Sequence, residues 1–345
     1  MNEFSNPSTT HGEYDNDLVD HTVSNEKCDV CTLPDLQNRE DKRGIEIKRV
    51  GVEEINFPIK VKVKSDKDGS AKSVAVSATV KLFMGLPKDY KGANMSRFMQ
   101  TLLQFSGEHK VLSSSTMPDL LTTLREKLKS KDAYARFEFD YYIDVKAPVS
   151  KIVAPQRYKC AFTGIKRNGN YDFILEVNVI AASVCPCSRE MSLLDNVLKD
   201  GDANGMVPLS AFEPKMVDMM KDYIKNSGMG SHFGLGAHNQ RSNIKVEVIM
   251  NDDEMMWIED LVKLIEEQAS CPVYPILKRP DEKYVTEHGY NNAKFSEDIT
   301  RDIQIELEKL GTVKAWNLKV SNEESIHGYN AVCHTWSESW KYHIS

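Results

Sequence analysis

The feature that most constrains this 345-residue chain is an order of hydrophobic periods that occurs twice. FPIKVKVKS alternates Ile59, Val61 and Val63 with lysines, and SVAVSATVKLF alternates Val74, Val76 and Val80, which predicts two strands joined by a turn around Asp68-Gly69. MSRFMQTLLQF then sets Met95, Phe98, Met99, Leu102 and Leu103 at the i, i+3, i+4, i+7, i+8 spacing of a helix, and PDLLTTLREKL repeats it with Leu120, Leu121, Leu124 and Leu128. ARFEFDYYIDV and the stretch around RYKCAFTGI return to period two. The second half gives the same order: YDFILEVNVIAASV and NIKVEVIM as strands, EMMWIEDLVKLIEEQ and FSEDITRDIQIELEKL as helices, VKAWNLKVS and the stretch near NAVCHTW as strands. The chain therefore reads as an α+β fold of two strand-strand-helix-helix-strand-strand units with antiparallel sheets, residues 46–168 and 169–345, without visible identity between them.

Two stretches stand outside this pattern. Residues 1–45 are rich in Asn, Asp, Ser, Thr and Glu with little periodicity and read as a disordered extension. Its CDVC, Cys28 and Cys31, lacks a second ligand pair and is read as no zinc site. Residues 190–235 interrupt what would be a hairpin at the start of the second unit. Helices are expected there at MSLLDNVLK and FEPKMVDMMKDYIKN before the glycine-rich NSGMGSHFGLG, so the interruption reads as a helical insertion.

Composition then excludes function classes. With 41% hydrophobic and 28% charged residues the chain can bury a large core. It has neither the roughly 18 unbroken apolar residues of a membrane span nor a signal peptide, so a cytoplasmic protein with no membrane partner is expected. Seven cysteines, an odd number thinly spread, fit thiols or metal ligands better than a secreted disulfide framework. The net charge of −7 and the lack of basic stretches with interleaved aromatics argue against nucleic acid as a partner.

The candidate chemistry gathers in the second half. SVCPCSRE ends a predicted strand with Cys185 and Cys187 two apart, so both thiols are expected on one face at a sheet end; two small buried hydrophobes is the plain alternative. If the insertion is a detour within one hairpin, His238 of GAHNQRSN returns to that end, and thiolate with imidazole suits zinc or iron. PVYPILKRPDEKYVTE reads as a charged loop between two helices, carrying Lys278, Arg279 and Glu282, and either solvated or arranged as a phosphate clamp beside an acidic ligand. Glu297 opens the helix of KFSED, where capping alone would explain it. Glu324 and His327 of NEESIHGYN lie three apart, as in a carboxylate-histidine proton-transfer unit or a plain polar turn.

Together CPCS, GAHNQRS, LKRPDEKYVTE, KFSED and ESIH, with LPDLQ, VGV and KGANMSRF before them, resemble the type IB GTP cyclohydrolases over residues 33–335 except the insertion. The resemblance implies a bimodular tunnelling fold assembled as a homotetramer. It implies that GTP is the substrate, hydrolysed at purine C8 to formate and dihydroneopterin triphosphate with one divalent metal (Zn, Fe(II) or Mn) per subunit. Carried over by motif, Cys185, His238 and Glu282 would bind the metal, and Cys187 would be a proton donor and acceptor. Glu297 would hold the guanine edge, Glu324 and His327 would transfer protons, and Arg97, Arg241, Lys278 and Arg279 would contact the triphosphate. Three departures stand against the pattern: Tyr329 where a second histidine follows ESIH, Asn94 in KGANMSRF, and the insertion. Two alternatives stay open, the archaeal-type enzyme that makes a cyclic phosphate and a non-catalytic metal-binding scaffold, the latter favoured by Tyr329 and Asn94.

Overall fold

The predicted hairpin is formed by β1 (Ile47–Lys64) and β2 (Ala71–Leu86), antiparallel with Val61 opposite Val74; the turn at Asp68-Gly69 lies outside the described residues. This computed structural model describes residues 36–342 apart from 38, 65–69, 109, 193–212, 217, 220, 221, 223–235, 252 and 253. Helices α1 (Met95–Gly107) and α2 (Met117–Leu128) follow, then β3 (Ala133–Lys146) and β4 (Val153–Arg167). The second unit contains β5 (Asn170–Val184), α3 (Pro186–Met191), β6 (Asn239–Met250), α4 (Ile258–Glu266), β7 (Cys271–Pro272), α5 (Arg279–Asn291), α6 (Ser296–Lys309), β8 (Val313–Glu323) and β9 (Asn330–Trp336). The described strands of both units belong to one sheet in the order β1-β2-β3-β4-β5-β6-β8-β9, with β7 beside β5.

The two units join at a tight turn. Arg167 pairs with Asn170, and Asn168 and Gly169 both have positive φ, the backbone that an Asn-Gly hairpin turn requires. Period-two alternation then gives the sheet two unlike faces. On one face Val61, Val80, Phe137, Val177, Val246 and Leu318 pack against Phe98 of α1, Leu121 of α2, Leu261 of α4 and Ile303 of α6 in a single core. The other face carries an ionic ladder across the seam between the units. Arg136 on β3 bonds Glu138 at 2.7 Å and Glu176 of β5 at 2.8 Å, and Lys245 of β6 bridges Glu176 at 3.1 Å and Glu247 at 3.6 Å.

Four expectations are corrected or bounded. The CPCS cysteines do not share a strand face. β5 stops at Val184, and Pro186, whose ring presets a helical φ, opens α3 with Cys185 as its N-cap. PVYPILKRPDEKYVTE is not all loop: α5 starts at Arg279, with Pro280 in its first turn and Asp281 accepting from the Lys278 N–H at 2.9 Å. The helical insertion falls largely outside the described residues; of those that are described, Pro214, Lys215, Met216, Asp218, Met219 and Asp222 have helical backbone. Within residues 1–45, backbone bonds join Gln37, Arg39 and Asp41 to residues 89–92, so pairing begins before β1.

Candidate active site

Antiparallel pairing brings the C-terminal end of β5, the N-terminal end of β6, the C-terminal end of β8 and the N-terminal end of β9 to one end of the sheet. At that end three neighbouring strands change character on the core side. Val177, Val179 and Ala181 give way to Ser183; Val246 and Ile244 to Ser242 and Gln240; Leu318 and Val320 to Asn322, and all four polar residues are buried. Buried polar groups need partners, and these have them. Ser183 Oγ donates to the Lys294 carbonyl at 2.9 Å, Asn322 Nδ2 donates to Ser183 Oγ at 3.2 Å, and Ser242 Oγ donates to Asn322 Oδ1 at 2.5 Å.

Cys185 and His238 sit one step beyond the last ladder pair, Val184 with Asn239. The Cys185 N–H donates to the His238 carbonyl at 3.1 Å. Ser188 of α3 braces both: its N–H points at Cys185 Sγ at 3.5 Å, and its Oγ accepts from the His238 N–H at 3.2 Å. His238 Nδ1 lies 3.2 Å from Gln240 Oε1 and 3.4 Å from Ser325 Oγ, and Gln240 Nε2 reaches Glu324 Oε1 at 3.4 Å. Imidazole and the ESIH carboxylate are therefore linked through one buried amide, and Cys185 is tied to the same histidine through the backbone and Ser188. Cys187 is exposed on α3, and His327 is exposed on the turn after β8 with its ring stacked on Tyr329, centroids 4.9 Å apart. Glu297 opens α6 three residues after Lys294, whose N–H is bonded to the Val184 carbonyl at 3.1 Å; Ser296 Oγ donates to Glu297 Oε2 at 2.9 Å. Arg241 is exposed on β6 opposite Ala182.

Other candidates lie apart. The end of α5 packs closely on β5, where a Cβ on Gly289 would stand 3.3 Å from Val184 Cγ2, and Arg189 of α3 stacks on Tyr290 at 5.1 Å. Its start is held elsewhere. Asp281 is buried against the turn between β3 and β4, accepting from the Val149 and Ser150 N–H groups at 2.8 Å each. Burial opposes its charge, but the hydrogen bonds from Ser150, Lys278 and Val149 prevail and hold the carboxyl well below its ordinary range. Glu282, Lys278 and Arg279 are exposed at this start, and seven residues of helix from Glu282 to Gly289 span about 10 Å. Arg97 is farther still: it opens α1 at the opposite end of the sheet and donates to the Lys127 carbonyl at the end of α2, at 2.9 Å. Among the described residues no group of three or more His, Cys, Asp and Glu side chains is close enough to hold a metal ion. Cys185 and His238 fit a zinc-like ion by donor chemistry, as two members of a set that Glu282 does not complete within the chain. A cleft of 680 Å³ lined by Lys62, Ser114, Tyr171, Asp172 and Asn251 involves none of these residues.

Sequence reading missed Gln240, Ser183, Asn322 and Ser325. The signal was present in the strands, as the shift from aliphatic to polar at successive inward positions of β5, β6 and β8, together with the two-residue spacing of His238 and Gln240.

Comparison with known proteins bears on both fold and site. The uricase from Arthrobacter globiformis matches 86% of this chain and 96% of its own, with a TM-score of 0.50 at 5% identity, which identifies the tunnelling fold and says nothing of the chemistry. The GTP cyclohydrolase FolE2 of Magnetococcus marinus is 35% identical over 87% of this chain and 95% of its own, and that of Azoarcus sp. is 36% identical over 87% and 93%. Residues 33–333, which contain every candidate above, match the family described as type I GTP cyclohydrolase folE2. The chain belongs to that family of hydrolases.

Proposed function

We propose that this protein hydrolyses GTP at purine C8, releasing formate and closing the opened ring to dihydroneopterin triphosphate, and that it does so in the cytoplasm as a homotetramer. The observation that carries the reading is the convergence of Cys185, His238, Gln240 and Glu324 at one sheet end, in a chain of this family. Cys185 and His238 would hold a divalent ion, with the exposed Glu282 carboxylate as third donor once chains associate. Association is supported by β1 and β9, which end the strand order and leave two edges for other copies to cover. When bound, the ion supplies Lewis acidity for attack of water at C8.

The remaining steps fall to the side chains. Glu297 accepts from N1–H and the 2-amino group of guanine, a two-point contact that a carboxylate makes and adenine lacks. The Cys187 thiol exchanges a proton with the imidazole nitrogens as the ring opens. Glu324 and His327 carry protons to the leaving formyl nitrogen and during reclosure, while Arg241, Lys278 and Arg279 neutralise the triphosphate. Arg97 joins them only if supplied from another copy.

The test is anaerobic incubation of the purified protein with GTP and each of Zn(II), Fe(II) and Mn(II), followed by formate assay and, after oxidation, pterin fluorescence and product mass. Formate with a pterin triphosphate is the expected result. A cyclic phosphate mass would correct the product, and neither formate nor pterin under any metal would overturn the reading.

A further inference from the structure

We infer that Gln240 is a positioning residue that fixes the tautomer of His238 and, with the same amide, holds Glu324 in place. The inference deepens the cyclohydrolase reading and rests on it for the role of His238.

Gln240 is only 9% exposed, so its amide bonds within the protein. One side of that amide faces Ser183 Oγ at 3.5 Å and Glu324 Oε1 at 3.4 Å. A carboxylate oxygen only accepts. Ser183 has a single hydroxyl proton, which it donates to the Lys294 carbonyl at 2.9 Å, so toward Gln240 it also only accepts. Two acceptors on one side require Nε2 there, and a flipped amide would set its oxygen against both. Oε1 is thereby left facing His238 Nδ1 at 3.2 Å, and an amide oxygen only accepts. Nδ1 of the neutral imidazole must carry the proton. Ser325 Oγ, 3.4 Å away, shares that same N–H as a second acceptor.

The consequence lies on the far side of the ring. With the proton fixed on Nδ1, the Nε2 lone pair of His238 is bare, which is the form in which an imidazole ligates a cation. Because the other half of the amide holds Glu324, a single side chain sets both the ligating histidine and a proton-transfer carboxylate. Two oppositely designed substitutions separate these roles. Gln240→Leu keeps the volume but removes both contacts. Gln240→Glu keeps an acceptor for Nδ1–H and sets a second carboxylate against Glu324.

The experiment uses the full chain, metal-free and then titrated with Zn(II) or Mn(II) alone against a chromophoric chelator. Long-range ¹H–¹⁵N spectra of the histidine rings give the tautomer directly, with His238→Ala assigning the signal. Metal-free wild type should show His238 as the Nδ1–H form. Gln240→Leu should lose that preference and bind the cation roughly 10- to 100-fold more weakly. Gln240→Glu should keep the Nδ1–H form and a cation affinity within about threefold of wild type, yet lose kcat with GTP because Glu324 is displaced. An Nε2–H form in wild type overturns the inference, as does a Gln240→Leu protein with full cation affinity and an unchanged tautomer. The two readings fail separately: an Nδ1–H wild type that takes up neither cation nor GTP upholds the tautomer and overturns the cyclohydrolase, whereas an Nε2–H wild type that turns over GTP does the reverse.

Discussion

The two units of the chain share one element order but differ in what their connections carry. In the first, β1 and β2 are separated by residues 65–70 and the helices α1 and α2 by residues 108–116. In the second, the equivalent gaps are residues 185–238 and 267–295, and they contain Cys185, Cys187, His238, Glu282 and α5. Both expanded gaps open at the same end of the sheet, because the chain runs back along α4 and the Ser270 and Lys294 N–H groups bond the Ala182 and Val184 carbonyls at the end of β5. The strands and paired helices of both units bury aliphatic side chains in one core. The difference teaches that one repeat can be lengthened at its connections without disturbing the core, and that here the lengthened connections carry both CPCS cysteines, His238 and Glu282.

That comparison can be broken in order of effect. Cys185→Ala or His238→Ala should cut kcat/KM for GTP by about 10³ or more, roughly 4 kcal/mol at the transition state, and remove the bound divalent ion by elemental analysis while the thermal midpoint of the metal-free protein is unchanged. Full metal occupancy in both variants would remove the second unit's claim to the site. In the first unit Phe98, fully buried on α1 against the core, gives the opposite outcome. Phe98→Ala should cost about 3–5 kcal/mol in denaturant unfolding with kcat per folded chain retained; a raised KM in the folded fraction would show that the first unit is more than a scaffold.

Asp281→Asn probes the contact by which the second unit's added helix rests on the first unit's turn. The variant places an amide against the Val149, Ser150 and Lys278 N–H groups, so the thermal midpoint should fall by a few degrees. The sign follows from the lowered carboxyl: its contribution is present above the ordinary value of 3.8 and is lost only as pH falls through the depressed folded value. The gap between variant and wild type should therefore hold from pH 8 to about pH 4 and close only in stronger acid. A gap already closing near neutrality would assign the effect to another group.

The smallest effect is expected on the polar sheet face, where the units meet. Glu247 stands directly across from Glu176, and burial with that neighbouring carboxylate pushes its carboxyl up, against the pull of Lys245 and Asn317. A raised folded value means that the charged form costs stability, a cost absent below the ordinary 4.5 and growing as pH rises through the folded value. Glu247→Gln should leave the thermal midpoint at pH 4 unchanged or slightly lower and raise it at pH 8, with a gain in unfolding free energy of about 1 kcal/mol or less. A midpoint lowered equally at both would mean that the Lys245 bridge outweighs the opposed carboxylates.

The strands, the two helix pairs and the doubled order were legible because each rests on a local period: a strand shows its buried face every second residue and a helix every third or fourth. Helix α5 was not legible as a helix, since only Asp281 and Gly289 are buried in RPDEKYVTEHGYN and so few buried residues write no apolar stripe. Its start is fixed by Pro280 and by the Asp281 cap, which reads as loop until its partners at Val149 and Ser150 are known.

By itself the sequence determined the family, the residues that could do chemistry and the end of the hairpin at which Cys185 and His238 meet, because pairing one strand with the next is a nearly local matter. Tertiary structure alone decided which of those residues are neighbours. Glu324 faces Gln240 because β6 and β8, far apart in sequence, pair with Arg241 opposite Glu323, and a one-residue slip would turn both side chains away. Glu282, close in sequence to residues that touch β5, is carried off along α5 because a rigid helix anchored at Asp281 and packed at Gly289 holds it at the far end. Local periods assign faces, whereas the register of distant strands and the length of a helix assign partners.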